Sequence, residues 1–302
     1  MKKTIMTFAL LILFSVCVDS ALGYTETADE TFFGSGAGAV NTGGNNTFVG
    51  ALAGQDNTSG GTNSFFGRAA GRDTTTGSFN TFIGRSAGLV NTEGKENVYV
   101  GAWSGENNET GNNNTFIGYE AGLQSTVSDN TFIGHFAGYN NTTGINNTFM
   151  GSNTGCGGSS PSTGSNNTFI GYSTGSLNTT GQYNTFFGSQ TGYANSTGYG
   201  NNFIGYRAGY VNSTGYHNNF MGYVAGNNNT TGVGNTAVGG YAGFTNKTSN
   251  GNTFIGYTAG YSTTGGGNVF IGFKAGRNET GSNKLYISNS DTATPLIWGD
   301  FT

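Results

Sequence analysis

The segment Asn-Thr-Phe-Ile-Gly returns along this chain at a nearly constant interval, and no other property restricts its possible folds as strongly. The glycine that closes the segment falls at Gly34, Gly50, Gly67, Gly84, Gly101, Gly118 and onward to Gly272, fifteen times in 302 residues. Ten of the fourteen intervals are 17 residues, three are 16, and one, which spans Cys156 to Pro161, is 20. Each of these glycines is followed by two variable positions, then Ala, Ser or Thr, then a second glycine, as in Gly118-Tyr119-Glu120-Ala121-Gly122. A chain that never stacks gains nothing from fixed spacing. A stacked array does, because each unit buries a face of its neighbour. The triplets Thr-Phe-Ile and Val-Tyr-Val suit short strands, and the flanking Gly and Asn suit tight corners. The expected fold is therefore all-β: a parallel β-solenoid, or β-roll, of about fifteen coils over residues 24–288. At a strand spacing of ~4.8 Å the array would be a rod of roughly 70 Å. The 20-residue interval predicts a loop of three surplus residues.

Composition removes the competing classes. With 56 Gly, 2 Pro and 9% charged residues, the chain is neither an ordinary globular enzyme nor a helical bundle, and it lacks the Gly-X-Y period of collagen. An aromatic content of 14% argues against Gly-rich disorder. The formal charge of -4 offers nothing to a nucleic acid backbone.

Residues 1–23 read as a secretion signal. Lys2 and Lys3 precede an apolar run from Ile5 to Val18, and Ala21-Leu22-Gly23 presents small residues at a cleavage site. The run is too short to cross a bilayer, so no transmembrane anchor is expected. The mature chain would retain one cysteine, Cys156, and so no internal disulfide. The predicted destination is secreted or cell-surface.

Adjacent residues of a strand point to opposite faces, so Phe82, Phe116, Phe169 and Phe254 form one column and Ile83, Ile117, Ile170 and Ile255 another. Strands apolar on both faces are normally covered on both. We therefore expect self-association, with the aromatic column as the seam; a Phe116→Asp, Phe169→Asp double variant would test it. Residues 289–302, with Pro295 and Trp298, depart from the repeat and read as a C-terminal cap.

No catalytic, cofactor-binding or metal-binding residues emerge. His135 and His217 occupy non-equivalent repeat positions, and Asp56, Asp73 and Asp129 are too sporadic for the repeated cation sites of calcium-binding solenoids. Sequons such as Asn178-Thr179-Thr180 and Asn212-Ser213-Thr214 read first as corner chemistry multiplied by duplication. Tyr119, Tyr172, Tyr206, Tyr223 and Tyr257 recur just after the strand glycine. That ladder either contacts an extracellular protein or glycan or simply covers the surface.

Stretches such as Asn80-Thr81-Phe82-Ile83-Gly84-Arg85-Ser86-Ala87-Gly88 and Asn252-Thr253-Phe254-Ile255-Gly256-Tyr257-Thr258-Ala259-Gly260 resemble the head repeats of trimeric autotransporter adhesins, the YadA-type heads. The resemblance runs over about residues 31–288. It implies a left-handed parallel β-roll assembled as a trimer on a bacterial surface and used for attachment. The unit here is longer than in those heads, and Phe stands where they usually carry a small residue. The expected function is thus that of an exported, non-catalytic adhesive or structural surface module. The alternatives are the shaft of a tail-fibre or spike-like protein and, as a minor one, an ice-binding solenoid.

Overall fold

The protein is described from a computed structural model covering residues 24–27 and 29–301. The predicted secretion signal, residues 1–23, lies outside the described residues. The chain divides into two compact units, Met1–Asp129 and Asn130–Thr302, which are taken separately.

In the first unit, β1 (Tyr24–Thr27) runs antiparallel to β2 (Glu30–Phe33), with Tyr24 opposite Phe33. From β2 onward every pairing is parallel and in register: β3 (Thr47–Val49), β4 (Ser64–Phe66), β5 (Thr81–Ile83), β6 (Val98–Val100) and β7 (Thr115–Ile117). Equivalent residues face each other directly, as Phe65 does Phe82.

The second unit repeats the scheme. Its strands are β8 (Thr131–Ile133), β9 (Thr148–Met150), β10 (Thr168–Ile170), β11 (Thr185–Phe187), β12 (Asn202–Ile204), β13 (Asn219–Met221), β14 (Thr236–Val238), β15 (Thr253–Ile255), β16 (Val269–Ile271) and β17 (Lys284–Ile287), all parallel. A final strand, β18 (Ile297–Asp300), pairs antiparallel with β17. No residue among those described is helical. The architecture is the expected β-solenoid, one coil per repeat.

The surplus residues near Cys156 leave the coil as a loop held by the Asn140 amide, which donates to the Gly158 carbonyl (2.6 Å). Register recovers at once, since Asn167 N–H again donates to the Asn147 side-chain oxygen (2.9 Å).

Each three-residue strand buries its middle residue. In the first unit the rings of Phe32, Phe48, Phe65, Phe82, Tyr99 and Phe116 stack with centroids 4.7–5.0 Å apart and planes within 12°. The second unit stacks Phe132, Phe149, Phe169, Phe186, Phe203 and Phe220 at 4.7–4.9 Å. The aromatic column is therefore the inner spine and not the outward seam anticipated from the sequence. The second glycine of each repeat explains the choice. A Cβ at Gly88 (φ +58) would sit 2.6 Å from the Phe82 ring, so its absence makes room for a flat aromatic inside a narrow coil. Gly84 (φ +135) is confined differently, because a Cβ there would meet the Gly101 carbonyl at 2.5 Å.

A second buried column consists of asparagines, which sequence reasoning placed only at corners. Asn46, Asn63, Asn80, Asn97 and Asn114, each just before a strand, are fully buried or nearly so. The side-chain oxygens of Asn46, Asn63, Asn80 and Asn97 each accept from the backbone N–H of the next asparagine, as in Asn63 to Asn46 (2.9 Å) and Asn80 to Asn63 (3.0 Å). The amides of Asn46, Asn63, Asn80 and Asn97 donate to a glycine carbonyl of the following coil, as Asn63 does to Gly77 (2.9 Å), and that of Asn114 donates to the Val127 carbonyl (2.8 Å). Donor and acceptor are both used, which offsets the cost of burying them.

Candidate functional site

The outer face of each strand carries its first and third residues. Ile83, Ile117 and Ile255 are 42%, 36% and 40% exposed, and Ile170 is half-buried, whereas Phe82, Phe116, Phe169 and Phe254 are buried. The outward apolar column is consequently aliphatic, interspersed with Phe66, Met150, Phe187 and Met221. It lies beside strand threonines that are mostly half-buried.

Tyr119, Tyr172, Tyr206, Tyr223 and Tyr257 all lie on the exterior at the corner after the strand glycine. Tyr119 packs edge-on against Trp103 (5.4 Å), whose ring lies under the Arg85 guanidinium (5.0 Å). Tyr206 stacks on Tyr223 (5.3 Å, 21°), and Tyr257 on Phe273 (5.7 Å, 13°). A neighbouring ladder stacks Tyr193 on Tyr210 (5.2 Å, 13°) and Phe244 on Tyr261 (5.1 Å, 8°). Arg207 bridges the two ladders, 5.2 Å from the Tyr206 ring and 5.0 Å from that of Tyr210, with its Nε donating to Gln190 (2.7 Å). Rings stacked in this way use their faces on each other and present edges to solvent. A ladder offers a free aromatic face only where it is interrupted.

Another exposed aromatic cluster groups His217 with Tyr183, Tyr199 and Tyr216, which the sequence reading did not single out. Tyr199 stacks on Tyr216 (4.7 Å, 7°), and the exposed His217 ring stands edge-on to both at 5.2 Å. Tyr183, at the repeat position of His217, is 64% exposed and makes no ring contact among the described residues. The 17-residue spacing of Tyr183, Gly200 and His217 could have revealed this cluster, because Gly200 supplies no side chain between the two rings. The other histidine, His135, is exposed beside Phe136.

Charge collects in the first unit around Arg72, which pairs with Asp73 (2.5 Å). Burial pushes the Glu106 carboxyl upward, Glu120 adds to the rise, and Arg72 and Arg85 oppose it. Burial also drives the Tyr99 phenol far above its usual range, with Asn114 offsetting a little of the rise. Near the end of the second unit the Tyr286 hydroxyl donates to Glu279 (2.6 Å) and holds that carboxylate below its ordinary value. Among the described residues no three His, Cys, Asp or Glu side chains gather as metal ligands, and no helix is long and apolar enough to cross a membrane.

The sequon asparagines Asn178 and Asn212 are buried, and their amides donate to Gly181 (3.1 Å) and Gly215 (2.9 Å). In the folded chain these nitrogens are inaccessible to a glycosylating enzyme. Against known proteins, the chain matches no family model, no curated protein and no solved structure.

Proposed function

We propose that this chain is an exported, non-catalytic β-solenoid that serves as an adhesive or structural module at a bacterial cell surface and associates with copies of itself, three in the arrangement suggested by the YadA-type resemblance. The observation that carries the proposal is the aliphatic column on the outer strand face. A repeated row of half-exposed Ile, Val, Met and Phe is a costly surface to leave in water, and it recurs in phase with the coils. Side-by-side packing of identical columns removes it from solvent without any new element. Sedimentation of residues 24–302 tests the association, and adherence of coated beads to cells and extracellular matrix tests the attachment. A monomeric mass together with inert beads would overturn the reading.

A shaft-like role in a tail-fibre or spike is favoured by a different feature. Leu296, Trp298 and Phe301, on and beside β18, are 88%, 60% and 57% exposed, which suits abutment against a further folded module. Under that reading the beads stay inert while the chain still forms oligomers.

A further inference from the structure

A recess of about 240 Å³ on the second unit is lined by Thr180, Gln182, Tyr183, Thr197 and Tyr199. Its backbone is fixed by the coil stack. Tyr183 N–H donates to the Ser165 carbonyl (3.2 Å) and Gly200 N–H to the Gln182 carbonyl (3.0 Å). The next coil places Gly200 at the position equivalent to Tyr183, and a Cβ there would lie 2.7 Å from the His217 ring. Gly200 therefore leaves the Tyr183 ring without a side chain over it. Tyr183 is left uncovered, while Tyr199 is braced on its other side by Tyr216 and His217.

The lining contains no charged side chain, which disfavours anions and cations. It combines aromatic surface with two threonine hydroxyls and one primary amide. An apolar peptide side chain would cover those polar groups without pairing them, at a desolvation cost. A pyranose has an apolar C–H face for the ring and hydroxyls at its edge for the amide and threonines. We infer that this recess binds a sugar ring of a neutral oligosaccharide, with Tyr183 and Tyr199 as stacking surfaces and Gln182 as the hydrogen-bonding group.

The inference deepens the attachment reading by naming what is gripped, and it rests on that reading only for its biological use. Isothermal titration of the purified chain with cellohexaose, maltohexaose, mannohexaose and N-acetylchitohexaose tests it. At least one series should bind with a micromolar to millimolar dissociation constant that is insensitive to salt. Tyr183→Asn and Tyr199→Ala should each weaken that binding by about tenfold or more, and Gln182→Leu should weaken it as well. Tyr172→Ala, at an exposed tyrosine away from the recess, should leave it unchanged. Asn suits the positive φ at position 183, as Asn166 shows one coil earlier, so a folded Tyr183→Asn variant is expected and circular dichroism verifies it. Absence of heat with all four sugars at about 1 mM, or binding that survives Tyr183→Asn, would overturn the inference. Oligomeric mass is read separately, so an assembly that ignores sugars and a monomer that binds them are distinguished.

Discussion

Besides the two repeat glycines, two further positions in each coil adopt the left-handed conformation, and most of these are not glycine. Phe79 (φ 62), Ser86 (φ 56) and Trp103 (φ 56) are examples. Such a residue costs ~1–2 kcal/mol in isolation. Here it is repaid by hydrogen bonds between coils, as when Ser86 N–H donates to Arg68 (2.9 Å) and Trp103 N–H to Arg85 (2.9 Å). This explains why the glycine corners were legible in the sequence and these were not. Arg, Trp, Glu and Phe carry no turn signal, and the stack imposes the conformation on whichever side chain occupies the position. The same chain offers a comparison, since the position of Phe79 is held by Asn45, Asn113 and Asn146 in other coils and by Gly200 and Gly234 in the second unit. Phe79 is 59% exposed and contributes little packing. Phe79→Asn should therefore raise stability by about 1 kcal/mol, measured as a higher denaturation midpoint with an unchanged m-value.

A three-residue strand has no independent stability, so each coil depends on what its neighbours align. The period made the stacking legible, and the back-to-back Phe and Ile made two columns legible. Alternation alone does not say which column turns inward, because exchanging the faces preserves the pattern. The deciding residue is the glycine six positions after the aromatic, as Gly88 follows Phe82, whose missing Cβ admits the ring. The asparagine columns escaped notice for a related reason: Asn beside Gly suggests a turn on the surface, and only the stacked neighbour completes its hydrogen bonds. A further column in the second unit passes amide hydrogens upward from Asn195 to Asn178 (3.0 Å) and from Asn212 to Asn195 (2.7 Å). In the first unit the corresponding run is interrupted by Thr74. The buried Asn57 side-chain oxygen and the Thr74 hydroxyl are both left without partners. Thr74→Asn should restore the run and stabilise the first unit by about 1 kcal/mol, with slower amide exchange in the coils on either side.

For the whole molecule, the correction of which column faces outward changes the decisive experiment. Phe116→Asp and Phe169→Asp would each place a carboxylate inside the stacked rings and abolish folding, so loss of assembly in that pair would be uninformative. Ile83→Asp with Ile117→Asp, or Ile170→Asp with Ile255→Asp, places charge on the outer face. These pairs should lower the sedimenting mass while the far-ultraviolet spectrum remains that of the parent. An unchanged mass in both would remove the outer column from the assembly. Fold class was readable from periodicity because repetition multiplies a weak local signal. The proposed recess was not, because it depends on Tyr183 and Tyr199 meeting beside Gly200 in one pair of coils, a combination that the repeat does not multiply. Because every interior neighbour of a coil is nearly its twin, loss or gain of one full period leaves each surviving contact with an equivalent companion. Loss of a single amino acid within a strand would turn the phenylalanine of that coil outward, whereas the corners absorb such changes, as the 16- and 20-residue intervals show. Such a gene can add or drop whole coils while leaving those that remain as they were.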